Sequence, residues 1–329
     1  MTGTARGILS SVQAWYETTY GVQPASPATE LLYYTSFKPS ASIAQLIDAT
    51  MSGGYRGELA PMQGNTDITG QIATVLAPQS AAKHLAMLIG TPTITNLGTG
   101  KNQMVFNAGG GMPVGLGFEL NFGSQIATPG RYLRYNGCRY SKGAFQMKPD
   151  GMATATYDII GSSLLWTPTS SINATPTDYG HTAFSMFNAA MTEGGGAIAT
   201  VQQLDFTIDN NLDNSMYCIG GGGVRAELPE GMFKISGTLK ALFRDVTLLN
   251  KALANTSTSL GITWTNGAGD GSAGNESLNF NIPNLAYKLA APTIDGPKGI
   301  SATLTFAGFR VGGAEQAFAA TVKAARALA

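Results

Sequence analysis

Ile68-Thr69-Gly70-Gln71-Ile72 and Ile235-Ser236-Gly237-Thr238-Leu239 are the two stretches on which the reading of this chain turns. Each alternates apolar and polar residues at period two, the spacing of a strand with one buried and one wet face. In the wider window, Ile68, Gly70, Ile72 and Leu76 face one way and Asp67, Thr69 and Gln71 the other. Phe233, Ile235, Gly237, Leu239 and Phe243 likewise oppose Lys234, Ser236, Thr238 and Lys240. Strands of this kind belong to antiparallel sandwiches or barrels. The glycine at the centre of each apolar face lets a helix or a crossing strand come close.

The two stretches sit at matching places in an internal repeat. Upstream, Tyr55-Arg56-Gly57-Glu58-Leu59 echoes Val224-Arg225-Ala226-Glu227-Leu228. Downstream, each leads into a helical window: Gln79–Ile89, behind Pro78, carries Ala81, Ala82, Leu85 and Leu88 on one stripe, and Asp245–Leu253 carries Val246, Leu249 and Leu253. Asp245 suits an N-cap. Further on, Leu116-Gly117-Phe118-Glu119-Leu120 echoes Leu260-Gly261-Ile262-Thr263-Trp264, and Gly151–Thr156 echoes Gly299–Leu304. Four echoes in one order, with a helix in the same slot, indicate duplication. The expected fold is mainly β: two tandem β-sandwich or partial-barrel modules, each with one packed α-helix. The division is an N-terminal arm over 1–29, a first module over 30–165, a bridge over 166–199, a second module over 200–311 and a C-terminal helix over 312–329. The arm holds a helical window at Ile8–Glu17. The bridge falls in a Ser/Thr/Pro/Asn-rich stretch, 162–198, and the tail helix rests on Phe318, Val322 and Ala325 at helical spacing in Ala314–Leu328.

Composition narrows the function. Of 329 residues, 12% are charged, about half the usual share, and 43% are apolar, so there is ample core and disorder is excluded. The 42 glycines show no three-residue period, which excludes collagen. Twenty basic and 20 acidic residues leave zero formal charge, which argues against a protein that grips nucleic acid. So few charges suggest a surface that meets other protein. Two cysteines make neither a disulfide scaffold nor a zinc site. The segment Met1–Ser11 lacks the pattern of a secretion signal, and no apolar run reaches the length of a spanning helix. A protein first soluble in a cytoplasm is expected.

The motifs of chemistry fail one by one. Gly98-Thr99-Gly100-Lys101-Asn102 has neither the spacing nor the hydroxyl of a phosphate loop, and Gly115-x-Gly117 opens no helix. His84 falls in the first helical window, where packing explains it better than catalysis; His181 lies in the polar bridge, and neither has a partner at metal spacing. Arg56/Glu58 and Arg225/Glu227 pair opposite charges two residues apart, which suits structural or intersubunit ion pairs rather than a catalytic carboxylate pair. Trp166, Trp264 and the other aromatics do not interleave with cations as a nucleic-acid stacking platform would. No enzyme, cofactor or metal site is expected.

Tyr16-Glu17-Thr18-Thr19-Tyr20-Gly21-Val22-Gln23-Pro24 resembles the start of tail tube proteins of long-tailed bacteriophages. So do Phe206–Leu212, Leu228-Pro229-Glu230-Gly231, Ile235-Ser236-Gly237 and Ile294–Ile300. The resemblance spans about residues 16–310 and omits the 162–198 bridge and the tail. It implies a virion protein whose rings stack into a tube that conducts the genome, assembled in the host cytoplasm. Implied partners are other copies of itself, tail proteins such as the tape measure and the tail terminator, and DNA in transit without tight binding. It implies no catalytic residues and no membrane.

A tube needs sparsely charged contact surfaces, wet strand faces for its channel and little affinity for phosphate, and the composition suits all three. Asp67, Thr69, Gln71, Lys234, Ser236, Thr238 and Lys240 are the expected lumen residues. Single-module members imply six subunits per ring, so two modules per chain lead to an expectation of three chains, pseudo-six-fold, ahead of six. The rivals are a phage capsid or decoration protein, an outer-membrane β-barrel and a cytosolic β-rich enzyme.

Overall fold

The computed structural model describes residues 5–50, 58–166, 168–292, 299–312, 316–326 and 328. The first half runs through β1 (Ser11–Glu17), β2 (Glu30–Leu32), β3 (Ser36–Phe37), β4 (Ser40–Leu46), β5 (Met62–Val75), α1 (Pro78–Ile89), β6 (Thr93–Gly98), β7 (Lys101–Asn107), β8 (Gly115–Asn121), β9 (Tyr132–Met147) and β10 (Thr154–Gly161). The second runs through β11 (Ser163–Leu165), β12 (Ala189–Glu193), β13 (Gly196–Ala197), β14 (Val201–Asp209), β15 (Lys234–Leu242), α2 (Thr247–Leu253), β16 (Thr258–Thr265), β17 (Ser277–Tyr287), β18 (Ser301–Gly308) and β19 (Ala319–Ala324). The fold is mainly β, as expected.

One long antiparallel sheet has the order β4-β5-β10-β9-β14-β15-β18-β17. It consists of the same four-strand order twice, with a helix after the second strand in chain order each time. The registers agree as well. Gly70 opposes Ile159 as Gly237 opposes Phe306, and Ile159 opposes Tyr140 as Phe306 opposes Tyr287. The two blocks meet where β9 pairs with β14, from Lys142↔Asp209 to Met147↔Leu204.

Two long strands carry the chain from this sheet into a second layer. The N-terminal half of β9 lies between β8 and β11, and β8 continues through β1 to β2. The N-terminal half of β17 lies between β16 and β19; β12 and β13 extend one flank, β7 and β6 the other. The core fills the space between the layers. Its centre is an aromatic cluster in which Phe206 stacks on Phe145 at 4.8 Å, with Phe280 and Phe318 against it. α1 is enclosed in this space, packed on β9, β7 and β19, with every residue but Gln79 buried. It is therefore buried all round rather than along one stripe.

The central glycines admit strands, not helices. A Cβ at Gly70 would overlap the Lys38 carbonyl oxygen and Pro39 Cα, and one at Gly237 the Asp205 carbonyl oxygen. α2 begins where the Asp245 carboxylate accepts the Thr247 N–H at 2.8 Å. Its expected stripe packs only in part: Leu249 lies against the core, Val246 and Leu253 are exposed, and Ala252 is buried.

Both termini differ from expectation. The window Ile8–Glu17 forms a 3-10 turn, Gly7–Leu9, followed by β1, a strand between β2 and β8 with Trp15 fully buried. Residues 11–17 are thus a paired strand; two flanking strands supply hydrogen bonds that an isolated helix of this length would have to make alone. The expected C-terminal helix contains β19 instead, while Gly313, Ala314, Glu315, Ala327 and Ala329 lie outside the described residues. Ala320, Val322 and Ala324 are buried and alternate with Ala319, Thr321 and Lys323. The edges of β7 and β17 both take this segment as partner, and sheet pairing overrides the helix propensity of alanine. Arg326 then closes on buried Glu30 through two bonds of 2.6 and 2.8 Å, with Lys83 Nζ 4.0 Å from the same carboxylate. Burial pulls the Lys83 ammonium down to about 8, and Glu30 partly offsets this.

Candidate functional site: the polar face of the long sheet

Apart from the edge strand β4, whose Ile43 and Leu46 are exposed, the strands of the long sheet bury an apolar side against the core, so the alternate residues form one continuous open face. Adjacent registers set these residues in rows. One row runs Gln71, Asp158, Lys142, Asp209, Lys234 across β5, β10, β9, β14 and β15. The next runs Ala73, Thr156, Ala144, Thr207, Ser236, Ala307, and a third runs Thr154, Gln146, Asp205, Thr238, Thr305.

Charges in the first row alternate in sign, and polar neighbours hold the carboxylates. Gln71 Nε2 donates to Asp158 Oδ1 at 2.8 Å, and Lys142 Nζ lies 3.3 Å from Asp209 Oδ2. Gln203 donates to Asp205. The cross-strand contacts Gln71–Asp158 and Lys142–Asp209 are worth about 0.2–1 kcal/mol each. Their larger effect is to leave little net field for a passing polyanion.

The seven expected face residues all lie on this side of β5 and β15. Thr69, Gln71, Lys234 and Ser236 are exposed; Asp67, Thr238 and Lys240 are half-buried. Asp67 is less open than its position suggests because Arg225 Nη2 donates to its carboxylate. Arg225 itself is buried, donating also to the carbonyls of Gly161 (2.7 Å) and Asn214 (2.8 Å). It is held by a loop through one isolated bridge, Tyr217↔Arg225, rather than by a named strand, and it reaches across to the first block. Glu58 and Glu227 are exposed, and Arg56 lies outside the described residues.

Sequence reading missed the middle of the face: Lys142, Gln146, Thr156, Asp158, Asp205, Thr207 and Asp209. The signal was present in Leu204–Asp209, where Leu204, Phe206 and Ile208 alternate with Asp205, Thr207 and Asp209. In β9 it is blurred, because Gly143 and Ala144 occupy opposite faces with little contrast in polarity.

The 162–198 stretch is anchored rather than loose. Buried Glu119 on β8 accepts from Arg134 Nε (2.6 Å), Gln13 Nε2 (2.8 Å), Ser171 Oγ (2.6 Å) and the Ile172 N–H (2.9 Å). Among the described residues no group of three or more His, Cys, Asp or Glu is placed to hold a metal, and no helix is long and apolar enough to cross a membrane. His84 is fully buried, its Nδ1 2.9 Å from the Tyr140 hydroxyl and its ring stacked on Tyr157 at 4.6 Å. A model of the family described as phage tail tube protein matches residues 7–308. No curated protein matches the chain.

Proposed function

The chain belongs to the phage tail tube protein family, and on that premise we propose that its copies close into rings whose stacks form the genome conduit, with the polar face of the long sheet as the channel wall. The family places it among the structural proteins of the virion tail. The observation that carries the reading is the face itself: eight antiparallel strands, apolar residues packed behind all but the edge strand β4, and rows of Thr, Ser, Gln and alternating Lys and Asp in front.

Such a wall meets DNA with hydroxyls and neutralised pairs. Each cation free to contact a phosphate would release counterions and hold the genome in place, so a wall of balanced charge favours passage. Asp67, Thr69, Gln71, Lys234, Ser236, Thr238 and Lys240 are assigned to this wall. Arg225 acts as an internal clamp through Asp67, while Glu58 and Glu227 are open to neighbouring subunits.

The recurrence of one strand order supports duplication, with modules over about 30–165 and 200–311. Both modules already share one sheet through β9 and β14, so a single chain represents two consecutive positions around the ring. Three chains then supply six positions. Other tail proteins, the tape measure and the terminator among them, meet the ends or the interior of the tube. Assembly of purified protein, viewed by negative-stain microscopy, tests the reading. Hollow tubes are expected; closed shells or a strictly monomeric protein at high concentration would contradict it.

A further inference from the structure

The junction between the two halves of one chain has an unfilled counterpart at the ends of the long sheet. Inside the chain, the β9 segment from Lys142 onward pairs with β14, and the ladder extends to Asn210, whose N–H donates to the Ser141 carbonyl at 2.9 Å. The shared registers show what corresponds to each side. Ser40 opposes Thr69 as Thr207 opposes Ser236, so Ser40, Ala41, Ser42 and Ile43 match Thr207, Ile208, Asp209 and Asn210. Tyr287 opposes Phe306 as Tyr140 opposes Ile159; Ser141 is a bulge residue, and with the same bulge placed at Lys288, Leu289 and Ala290 match Lys142 and Gly143.

Among the described residues, β4 pairs with β5 alone, and the segment after Tyr287 pairs on the β18 side alone, through the Lys288 N–H to the Thr305 carbonyl at 2.8 Å. Among the described residues the long sheet therefore ends in two different open edges, and unpaired edges are templates for further strands. Side-chain exposure agrees. Ile43 is 47% exposed where its counterpart Asn210 is 5% exposed, and Leu289 is 54% exposed.

We propose that the segment following β17 of one copy docks antiparallel on β4 of a second copy, with Ala290 opposite Ala41, Leu289 opposite Ser42, and the Ile43 N–H donating to the Lys288 carbonyl. This rests on the tube reading and names the seam that closes the ring. The two edges differ, so the contact is heterologous and produces a ring once the rotation closes. The ladder stops at Pro39 and Pro292, which have no N–H to offer; the Pro39 carbonyl is already held by the Tyr135 hydroxyl at 3.0 Å. The internal junction has the Lys142–Asp209 ion pair and the Phe145–Phe206 stack at the corresponding rungs. The seam between copies has Leu289–Ser42 and Pro292–Pro39 there, and is the weaker of the two.

Disulfide capture tests the seam. Exposed Cys218 is first replaced by serine, and Ser42→Cys is combined with Leu289→Cys; native Cys138 is buried. Directly opposed, non-hydrogen-bonded strand residues fall within the separation a disulfide needs, roughly 4.4–6.8 Å between Cα atoms. Oxidised assemblies on a non-reducing gel should show covalent species of two and three chains and none larger, while the single-cysteine variants show no three-chain species. A separate Lys142→Cys/Asp209→Cys variant should close within one chain and report the geometry of the internal junction. Assembled rings that do not cross-link, when that internal pair does, overturn the seam and leave the tube reading standing. Cross-linked species that continue to six chains support the seam and overturn the three-chain ring. If microscopy shows no rings at all, the tube reading fails and the seam with it.

Discussion

Phe206→Ala should weaken both halves of the molecule together. Phe206 is 2% exposed, and its ring lies 4.8 Å from Phe145, 5.7 Å from Phe280 and 5.9 Å from Phe318. These neighbours come from β9, from β17 and from the residue preceding β19, so the ring touches both sides of the junction. Truncating a buried Phe to Ala costs about 3–5 kcal/mol, the lost transfer energy plus the cavity left behind. Aromatic pairing contributes roughly 0.5–1.5 kcal/mol of that beyond area, so Phe145→Ala and Phe206→Ala should couple by about 1 kcal/mol in a double-mutant cycle. Against a typical total of about 5–15 kcal/mol, the loss is large enough to read directly. The assay is urea unfolding of dilute, unassembled protein by far-ultraviolet circular dichroism. Variants retaining only Trp15, on β1, or only Trp264, on β16, report each half by fluorescence. A loss below about 1 kcal/mol would refute the packing argument, which rests on the cavity cost. A Trp15 transition left at its original midpoint would refute the claim that one sheet joins the halves.

Glu119→Ala should cost about 3–5 kcal/mol because it leaves the Arg134 guanidinium buried without its partner, and replacing Arg134 by Leu in the same chain should recover part of the loss; equal midpoints for the parent and Glu119→Ala would contradict this. Gly70→Ala and Gly237→Ala should each cost about 1–3 kcal/mol, since a Cβ at Gly70 would meet backbone alone and one at Gly237 the Asp205 carbonyl oxygen and the buried Phe306 ring, whereas Gly151→Ala has open space and should change stability by less than about 0.5 kcal/mol; thermal melts decide. Two buried groups pull the pH dependence in opposite directions. Burial, helped by nearby positive charge from His181, lowers His84 to about 3 from 6.5, so the unfolded chain binds more protons between these values and stability is lost as pH falls from 6.5. Burial raises Glu17 to about 7 from 4.5 despite two backbone N–H bonds, so the folded chain binds more protons and stability is lost as pH rises through that window. His84→Leu should therefore leave a protein that gains stability from pH 7 to pH 4.5 more steeply than the parent; parallel profiles in urea titrations would count against the His84 assignment, and a variant with no gain over that range against the Glu17 one.

The strands that position the wall were legible because their two faces differ chemically: Ile68 and Ile235 are buried while Thr69 and Ser236 are exposed, as their alternation requires. α1 was legible from Pro78 and its apolar spacing. The ends of the chain were not. Phe318 and Val322 satisfy a helical repeat and a strand repeat alike, and what selects the strand is the pair of open edges on β7 and β17, which no local pattern encodes. Glu119 reads in sequence as one polar residue between Phe118 and Leu120; its four donors come from β1, β9 and the 162–198 stretch, so its role exists only in the fold. Arg225 reads in sequence as a partner for Glu227, yet long-range folding delivers it to Asp67.

A cryo-electron-microscopy map of the assembled tube puts the proposed channel to the most direct test. The expected map has three chains per ring, with Asp158, Lys142, Asp209 and Lys234 in one row facing the lumen and the β4 edge of each chain against the end of β17 of the next. Six chains per ring would contradict the three-chain ring. That polar row on the outer wall would contradict the channel itself.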